Sequence, residues 1–315
     1  MFTYDFSPME PVSWPAPFVE PGWVFQVKWD GVRMLTLWEK DLVRLVNRKG
    51  ADRTNQYPEI AGLRDVFPAG TVIDGEFVVL AQGKPKFDLI LKRDQRRQIA
   101  AIHSGAQQWP VLYTVFDLLY WRGQDIRSWP LSRRQSTLAS LWPNNYPQLY
   151  LVESFAAGEE LFAAVGSAGL EGIVAKRLQS RYVPGKQSSD WRKIKHWRYV
   201  NCVVGGYTLR AGMPSALLLG LYSDEGLVYV GRAGSGLSNS DWQAINGYLQ
   251  AATSAVSPFL KQLSIADRVV RWVIPLLAVR IKFMEWSSDL KLRAPVILGF
   301  QSATRDSCSF NQQGV

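Results

Sequence analysis

The sequence predicts an α+β domain followed by a smaller, predominantly β domain. The first 200 residues mix Val-, Ile- and aromatic-rich segments with helical stretches, whereas the rest shows short strands around one amphipathic segment. The chain has 315 residues, a length at which two domains can each bury a core. Hydrophobic residues make up 47% and charged residues 20%, as in ordinary globular proteins. We expect domains at residues 1–198 and 199–315.

The first domain is predicted from alternating apolar segments between turn signals. Five prolines in residues 1–24 predict an extended lead-in, with regular structure starting at Trp23. Helices are expected at 135–142 and 159–168. Strands are expected at 23–30, 34–39, 42–47, 71–80 and 111–120.

The second domain is predicted to be a small Greek-key barrel such as an OB-fold. One amphipathic segment, 241–249, interrupts a series of short strand patterns. Barrels of this kind commonly bind nucleic acids. The strand patterns cover 200–207, 215–222, 227–233 and 269–283.

Charge and cysteine content narrow the class of protein. The chain carries 36 Lys and Arg against 27 Asp and Glu, a formal charge of +9, which indicates a polyanionic partner or a generic basic surface. Two cysteines and two histidines exclude a disulfide framework and a Cys/His zinc cluster within one chain. With no secretory leader pattern and no apolar run of 18 residues, we expect a cytoplasmic protein without membrane contact.

A lysine stands at the end of the first predicted strand, in Lys28-Trp29-Asp30-Gly31. The period of two places Gln26, Lys28 and Asp30 on one strand face. A hairpin junction is the plain alternative, because strands often end in Asp-Gly.

Acidic residues interrupt two further apolar strands. Asp74 and Glu76 share a face of TVIDGEFVVL, and Glu171 precedes the apolar segment that ends at Lys176. A structural salt bridge is one explanation. Binding of a ribose hydroxyl or of Mg²⁺ is the other, because both suit carboxylate oxygens.

Two more clusters follow the same pattern. Lys193 and Lys195 share a strand face while Ile194 turns to the core, which indicates a solvated edge or a phosphate between the lysines. Phe116 lies in an aliphatic run, where core packing is the plain alternative.

Taken in order, these clusters resemble the nucleotidyltransferase motifs of ATP-dependent DNA ligases, most closely the compact ligase module of bacterial end-joining ligases. The resemblance covers residues 25–300. It rests on Lys28 to Gly31 with Arg33, Arg48 with Lys49 and Gly50, Asp74 to Glu76, Phe116 with Asp117, Glu171 to Lys176, Lys193 to Lys195, and Leu292 to Gly299. It implies a nucleotidyltransferase (adenylation) domain followed by an OB-fold domain.

The resemblance also implies roles for individual residues. Lys28 would attack the α-phosphate of ATP, assisted by Asp30, Lys193 and Lys195. Glu76 would hold the ribose, and Glu76 and Glu171 would bind Mg²⁺, with Mn²⁺ as an alternative. Phe116 and Val174 would enclose the adenine. The implied nucleotide-binding set is Gln26, Val27, Lys28, Arg33, Arg48, Glu76, Phe116, Val174, Lys193, Lys195 and Arg293.

Two positions depart from the family pattern. Gln26 stands where family members usually carry a Glu that accepts from the adenine amine, and an amide nitrogen there would donate to guanine instead. We therefore expect a less strict choice of ATP over GTP. Gln301 stands where a further Arg is common, which leaves Arg293 as the expected motif VI cation.

The implied activity is the sealing of nicks in duplex DNA through a lysine–AMP intermediate, in repair or end joining. The partners expected are nicked DNA and a Ku-like end-binding protein, for a nucleoid-associated monomer. An RNA ligase, a capping guanylyltransferase and a catalytically silent nucleic-acid clamp remain alternatives. The basic cluster expected to contact the DNA backbone is Lys84, Lys86, Lys92, Arg93, Arg96 and Arg97.

Overall fold

The computed structural model describes residues 7–143, 145–263, 265, 269–287 and 289–312. The chain divides into two compact units, Met1–His196 and Trp197–Val315. The division lies two residues before the predicted boundary. Only His196 and Trp197 separate the last strand of the first unit from the first strand of the second.

The first unit contains five α-helices, one 3-10 helix (Thr54–Gln56) and eleven strands in its described residues. The helices are α1 (Pro58–Ala61), α2 (Phe87–Asp94), α3 (Ile99–Gln108), α4 (Leu131–Ser140) and α5 (Gly158–Ser167). The strands are β1 (Glu10–Ser13), β2 (Trp23–Val27), β3 (Val32–Trp38), β4 (Val43–Asn47), β5 (Thr71–Ala81), β6 (Lys84–Pro85), β7 (Val111–Trp121), β8 (Gln124–Asp125), β9 (Leu149–Leu151), β10 (Gly172–Arg177) and β11 (Gln187–Lys195).

These strands form two sheets that share a core. The four-stranded sheet has the order β1-β11-β10-β2, and the larger sheet has the order β4-β3-β5-β7-β8, with β6 and β9 as side branches. Leu35, Leu37 and Val72 of the larger sheet pack with Trp191 of the smaller one. The outer face of the smaller sheet packs against α5, and that of the larger sheet against α1, α2 and α4. The larger sheet and part of the smaller sheet are therefore covered on both faces, which explains their apolar strands.

The five strands predicted in the first unit are confirmed, but the predicted lead-in is wrong in one respect. Residues 10–13 form β1, which pairs in parallel with β11. Its partner lies far away in the sequence, and Pro11 is typical of an edge strand, so no local pattern announced it. Helices α1, α2 and α3 were also missed, while α4 begins four residues before the predicted start.

The second unit is a small β-barrel. Its elements are β12 (Arg198–Arg210), β13 (Met213–Tyr222), β14 (Leu227–Ala233), α6 (Asn239–Ala251), β15 (Thr253–Ser254), β16 (Val269–Val273), β17 (Leu277–Phe283) and β18 (Val296–Ser302). Strand pairing runs β14-β13-β12-β17-β18, and a parallel bridge between Ser235 and Val296 closes the ring. A capping box of Ser238 and Asp241 starts α6, whose Trp242 and Leu249 enter the barrel core.

The predicted OB-fold domain is confirmed. The predicted strand at 269–283 is two strands, β16 and β17, which are separated at Pro275 because proline interrupts a ladder. The segment carrying the last ligase-like motif forms β18, which the strand analysis missed. No described helix combines the length and apolar character that a bilayer crossing requires.

Candidate active site

One face of the four-stranded sheet forms the floor of a pocket. Val174 of β10 lies opposite Gln26 of β2 and Lys193 of β11, and the next row pairs Lys176 with Trp191. Directly opposite residues, and residues two apart, share a face. All five side chains line a pocket of about 530 Å³. The strand period thus places the predicted lysine pair and Val174 in one cavity, while Ile194 is buried on the other face.

Glu171 holds two of the predicted lysines. Its Oε2 lies 2.5 Å from Nζ of Lys28, and its Oε1 lies 2.8 Å from Nζ of Lys195. The backbone N–H of Lys28 donates to the carbonyl of Gly172 at 2.9 Å, which fixes Lys28 beside β10. Gly172 has φ +146°, and a Cβ there would lie 2.1 Å from the carbonyl oxygen of Ile194. Glycine is therefore needed for this close approach.

The ion pairs determine the charge states in this cluster. Burial alone would raise the pKa of Glu171, but Lys28 and Lys195 outweigh it and hold that pKa below its usual value. Burial and the neighbouring Lys195 lower the pKa of Lys193. The groups expected from the sequence to assist Lys28 are Asp30, Lys193 and Lys195, whereas the contact of its amine in the structure is the Glu171 carboxylate. The Lys28 amine must leave this ion pair before it can attack an electrophile.

Glu76 lines the same pocket from the larger sheet, opposite Arg33 in the β3–β5 pair. Burial raises the pKa of Glu76 to about 8; Lys28 and Arg33 oppose this rise, and the carboxylates of Glu171 and Asp30 add to it. Asp30 lies within the electrostatic reach of Glu76 but is not among the described residues that line the pocket. The predicted carboxylate pair, Glu76 and Glu171, thus flanks Lys28.

Asp74 has a structural role. Its Oδ1 and Oδ2 accept from Nε and Nη2 of Arg33 at 2.6 and 2.7 Å, and Oδ2 also accepts from the hydroxyl of Tyr182 at 2.7 Å. The Tyr182 oxygen accepts from the backbone N–H of Met9 at 3.1 Å, and Nη2 of Arg33 donates to the Met9 carbonyl at 3.3 Å. We call these four residues the Arg33 ring. The ring aims Arg33 at the pocket, with its guanidinium 4.6 Å from the centroid of Phe116.

The inner end of the pocket has apolar walls and two buried polar atoms, Oε1 of Gln26 and Nζ of Lys176. Phe116 and Val174 line it as predicted, together with the buried side chains of Gln26 and Lys176. In the described residues, neither Oε1 of Gln26 nor Nζ of Lys176 has a hydrogen-bond partner. Burial lowers the pKa of Lys176 to about 7, and Nζ lies 4.0 Å from the centroid of Phe116. Oε1 of Gln26 and Nζ of Lys176 therefore provide an acceptor and a donor for a flat polar ligand at this end of the pocket.

The outer rim of the pocket is charged. Arg48, predicted from its motif, lies 3.6 Å from Glu10 of β1, and both line the pocket. Arg53 also lines it, held by Asp94 of α2 at 3.1 Å. Sequence reasoning missed Glu10, Arg53 and Lys176 as pocket residues. Lys176 had a readable signal, because it is a charged residue two positions from Val174 on the same strand face.

Two further predicted groups lie elsewhere. Arg293 belongs to the second unit, where its Nη1 lies 2.7 Å from Oε1 of Glu285, the partner across a short hairpin. In the proposed DNA-contacting cluster, Arg93 is fully buried and bonds Glu59 and the carbonyls of Gln56, Gly105 and Trp109. Arg93 therefore joins helices, and its inclusion in that cluster was wrong. Lys84, Lys86, Lys92 and Arg97 are exposed, and Arg96 is half-buried.

Comparison with known families identifies the chain. Residues 16–195 match the family model described as ATP dependent DNA ligase domain, and residues 210–303 match that described as ATP dependent DNA ligase C terminal region. The chain belongs to the ATP-dependent DNA ligase family. The two matches fall within the two structural units and cover the motifs on which the resemblance rested.

Individual ligases show the same relationship. The LigD end-joining repair protein of Mycobacterium tuberculosis is 32% identical over 279 residues, which cover 86% of this chain and 35% of LigD. The chain thus spans about a third of the length of the curated relatives it matches first. The ligase-like protein LigB of Bacillus subtilis is 32% identical over 204 residues, 64% of this chain and 72% of LigB. A solved mycobacterial DNA ligase D with bound ATP is 31% identical, with a TM-score of 0.56 and coverage of 95% and 96%.

Proposed function

We propose that this ligase-family chain seals nicks in duplex DNA through a covalent Lys28–AMP intermediate. The observation that carries the proposal is the position of Lys28. Its Nζ is held by Glu171, which also bonds Lys195, and Lys28 lines one pocket of the first unit together with Phe116, Val174, Lys193 and Lys195. A nucleotide whose base lies between Phe116 and Val174 would present its α-phosphate to Lys28.

The inner end of the pocket suits the base and sugar of ATP. Phe116 and Val174 provide an aromatic and an aliphatic wall for a flat ring. Gln26 and Lys176 offer an acceptor and a donor to its edge. Glu76 and Arg33 lie farther along the wall, where Glu76 would accept from a ribose hydroxyl. The backbone of Val27 completes the floor between Gln26 and Lys28.

Lys193, Lys195 and Arg48 would stabilise the phosphates, because their charges surround the outer half of the pocket. Among the described residues, no group of three or more His, Cys, Asp or Glu side chains is placed to hold a metal. Glu76 and Glu171 supply two hard oxygen donors, so a divalent ion there would take its other ligands from phosphate and water. These residues fit Mg²⁺, with Mn²⁺ as an alternative. When bound, the ion would neutralise phosphate charge.

The chemistry proceeds as three in-line displacements. Deprotonated Nζ of Lys28 attacks the α-phosphorus, the N–P bond forms, and the P–O bond to pyrophosphate breaks. A DNA 5′-phosphate oxygen then displaces Lys28 from AMP, and the 3′-hydroxyl finally displaces AMP. Glu171 positions Lys28 before the first step. Lys193 and Lys195 stabilise the negative charge that develops on the phosphate oxygens. Arg293 of the second unit would assist departure of pyrophosphate.

The proposed biological setting is based on the relatives. Proteins named for non-homologous end joining are about 32% identical to this chain, which supports a role in DNA repair. We propose nicked duplex DNA as substrate, a Ku-like end-binding protein as recruiting partner, and action as a monomer. The exposed Lys84, Lys86, Lys92 and Arg97 offer phosphate contacts.

The proposal is tested by two sequential incubations. The chain is first given α-labelled ATP or GTP with Mg²⁺, and then nicked DNA or nicked RNA. We expect label from ATP on Lys28 and closure of the DNA nick. Closure of the RNA nick alone would instead indicate an RNA ligase, and a GMP adduct without sealing a capping enzyme. Absence of any adduct would indicate a catalytically silent nucleic-acid clamp.

A further inference from the structure

The side-chain amide of Gln26 is held by a directional chain of hydrogen bonds. Its Nε2 donates to the carbonyl of Val152 at 3.4 Å and to Oγ of Ser154 at 3.1 Å. The Ser154 hydroxyl in turn donates to Oε1 of Gln135 at 3.5 Å, and Nε2 of Gln135 donates to the carbonyl of Phe116 at 3.5 Å. The chain connects the segment after β9, α4 and β7.

The two ends of this chain fix its direction. Backbone carbonyls only accept, so the nitrogen of Gln135 must face Phe116 and the nitrogen of Gln26 must face Val152. The oxygen of Gln135 then faces Ser154 and takes its hydroxyl proton, which leaves the Ser154 oxygen to accept from Gln26. A flipped Gln26 would place its oxygen against the Val152 carbonyl and lose that bond, and the Ser154 hydroxyl would have to leave Gln135 in order to donate to it.

This orientation leaves Oε1 of Gln26 buried and without a partner among the described residues. Gln26 thus presents an acceptor to the pocket, as a carboxylate would, but without charge. Lys176 presents N–H donors whether it is charged or neutral. The 6-amino group of adenine donates and its N1 accepts, whereas the 6-oxo group of guanine accepts and its N1–H donates. With Gln26 facing the 6-position, as the Glu at this position does in the family, and Lys176 facing N1, the pair complements adenine and opposes guanine.

We propose that Ser154 and Gln135 are positioning residues that orient the Gln26 amide and thereby make the site selective for a 6-aminopurine nucleotide. The inference rests on the proposed adenylylation of Lys28. It reverses the expectation from sequence that glutamine relaxes nucleotide choice, because that expectation required a freely turning amide.

The test is a competition between α-labelled ATP and GTP, with the ratio of AMP to GMP adduct on Lys28 measured by mass spectrometry. Ser154→Ala removes the better of the two acceptors for Nε2, so we expect the ratio to fall about threefold, the effect of one partly exposed neutral hydrogen bond. Ser154→Thr keeps the hydroxyl and should restore the ratio. Gln135→Met breaks the other end of the chain and should act in the same direction, which provides a second measurement if Ser154→Ala folds poorly.

Two controls separate positioning from general damage. Ser140→Ala alters a serine at the end of α4 whose hydroxyl donates to the carbonyl of Thr137 in the same helix, and the ratio should not change. In a Gln26→Glu background, removal of the Ser154 hydroxyl should also leave the ratio unchanged, because both carboxylate oxygens accept. An unchanged ratio in Ser154→Ala and Gln135→Met would overturn the inference. Absence of any adduct in the wild type would overturn the proposed function instead.

Discussion

The phenol oxygen of Tyr182 lies 2.7 Å from Oδ2 of Asp74, although neither residue lines the pocket. Tyr182→Phe would remove that donor and leave the Met9 N–H without its acceptor. We expect a loss of about 1–3 kcal/mol in the free energy of unfolding. Adenylylation should also slow, because Arg33 loses part of its support. Denaturant titration and adduct formation measure the two effects, and an unchanged value of both would show that the Arg33 ring is dispensable.

Lys28→Ala should abolish the AMP adduct, because no other amine stands at that position. A nick already carrying AMP on its 5′-phosphate should still be sealed at a reduced rate, since the last displacement does not use the lysine. Labelled protein after denaturing electrophoresis measures the first effect, and extension of a labelled strand measures the second. Lys40→Ala, at an exposed turn, is the matched control. Label retained on Lys28→Ala would disprove the assignment.

Glu76→Gln should change how stability depends on pH. In the folded protein the pKa of Glu76 is raised from 4.5 to about 8, so the native state binds more protons than the unfolded state between these values. Wild-type stability therefore falls as pH rises through this window. The variant lacks this loss and should gain up to about 4 kcal/mol relative to wild type between pH 5 and pH 9, because each pKa unit within this window corresponds to about 1.4 kcal/mol. Urea unfolding at pH 5 and at pH 9 measures this difference in the free energy of unfolding, with Glu225→Gln at an exposed position as the control.

Lys176→Met should stabilise the fold and weaken ATP binding. The buried amine has no hydrogen-bond partner in the described residues, so its removal should add about 1 kcal/mol to the free energy of unfolding. The gain should be largest at or below pH 7, where the native state must hold the ammonium, because the pKa of Lys176 is lowered to about 7. KM for ATP should rise about tenfold with loss of the donor. A stability gain without a change in KM would exclude contact with the base.

Arg293→Ala should slow adenylylation at least about tenfold, as expected for a lost charge-assisted contact with phosphate. Sealing of a pre-adenylylated nick should keep most of its rate, because pyrophosphate is absent from that step. Single-turnover rates of adenylylation and of sealing a pre-adenylylated nick measure the two effects separately. Exposed Arg280→Ala of β17 is the control in the same unit. Equal slowing of both steps would mean that Arg293 acts throughout the reaction.

Strand periodicity alone predicted much of the pocket floor. Lys193 and Lys195 share a face because side chains alternate, and Ile194 is buried for the same reason. Of the two carboxylates within β5, Asp74 has the salt-bridge partner that one of the two sequence interpretations required. The sequence did not distinguish their roles: Glu76 lines the pocket, whereas Asp74 is enclosed by Arg33 and Tyr182.

Contacts between distant segments could not be predicted. Arg93 resembled a surface cation in the sequence, yet it is buried because three backbone carbonyls and Glu59 converge on it from neighbouring elements. The orientation of Gln26 likewise depends on Val152 and Ser154, which no spacing rule connects to β2. Such relationships are set by packing geometry rather than by local propensity.

The parallel pairing of β1 with β11 affects how the protein acquires its pocket during synthesis. Met9 and Tyr182, which bond each other, are 173 residues apart, and Glu10 reaches the pocket only through this pairing. Because synthesis proceeds from the N-terminus, β1 leaves the ribosome long before β11. Strand β1 can pair only after almost the entire first unit has been synthesised. Contacts of such sequence separation form slowly because closing the intervening loop costs entropy. An incomplete polypeptide that stops before β11 therefore lacks both the edge of the pocket floor and the side chains of Lys193 and Lys195.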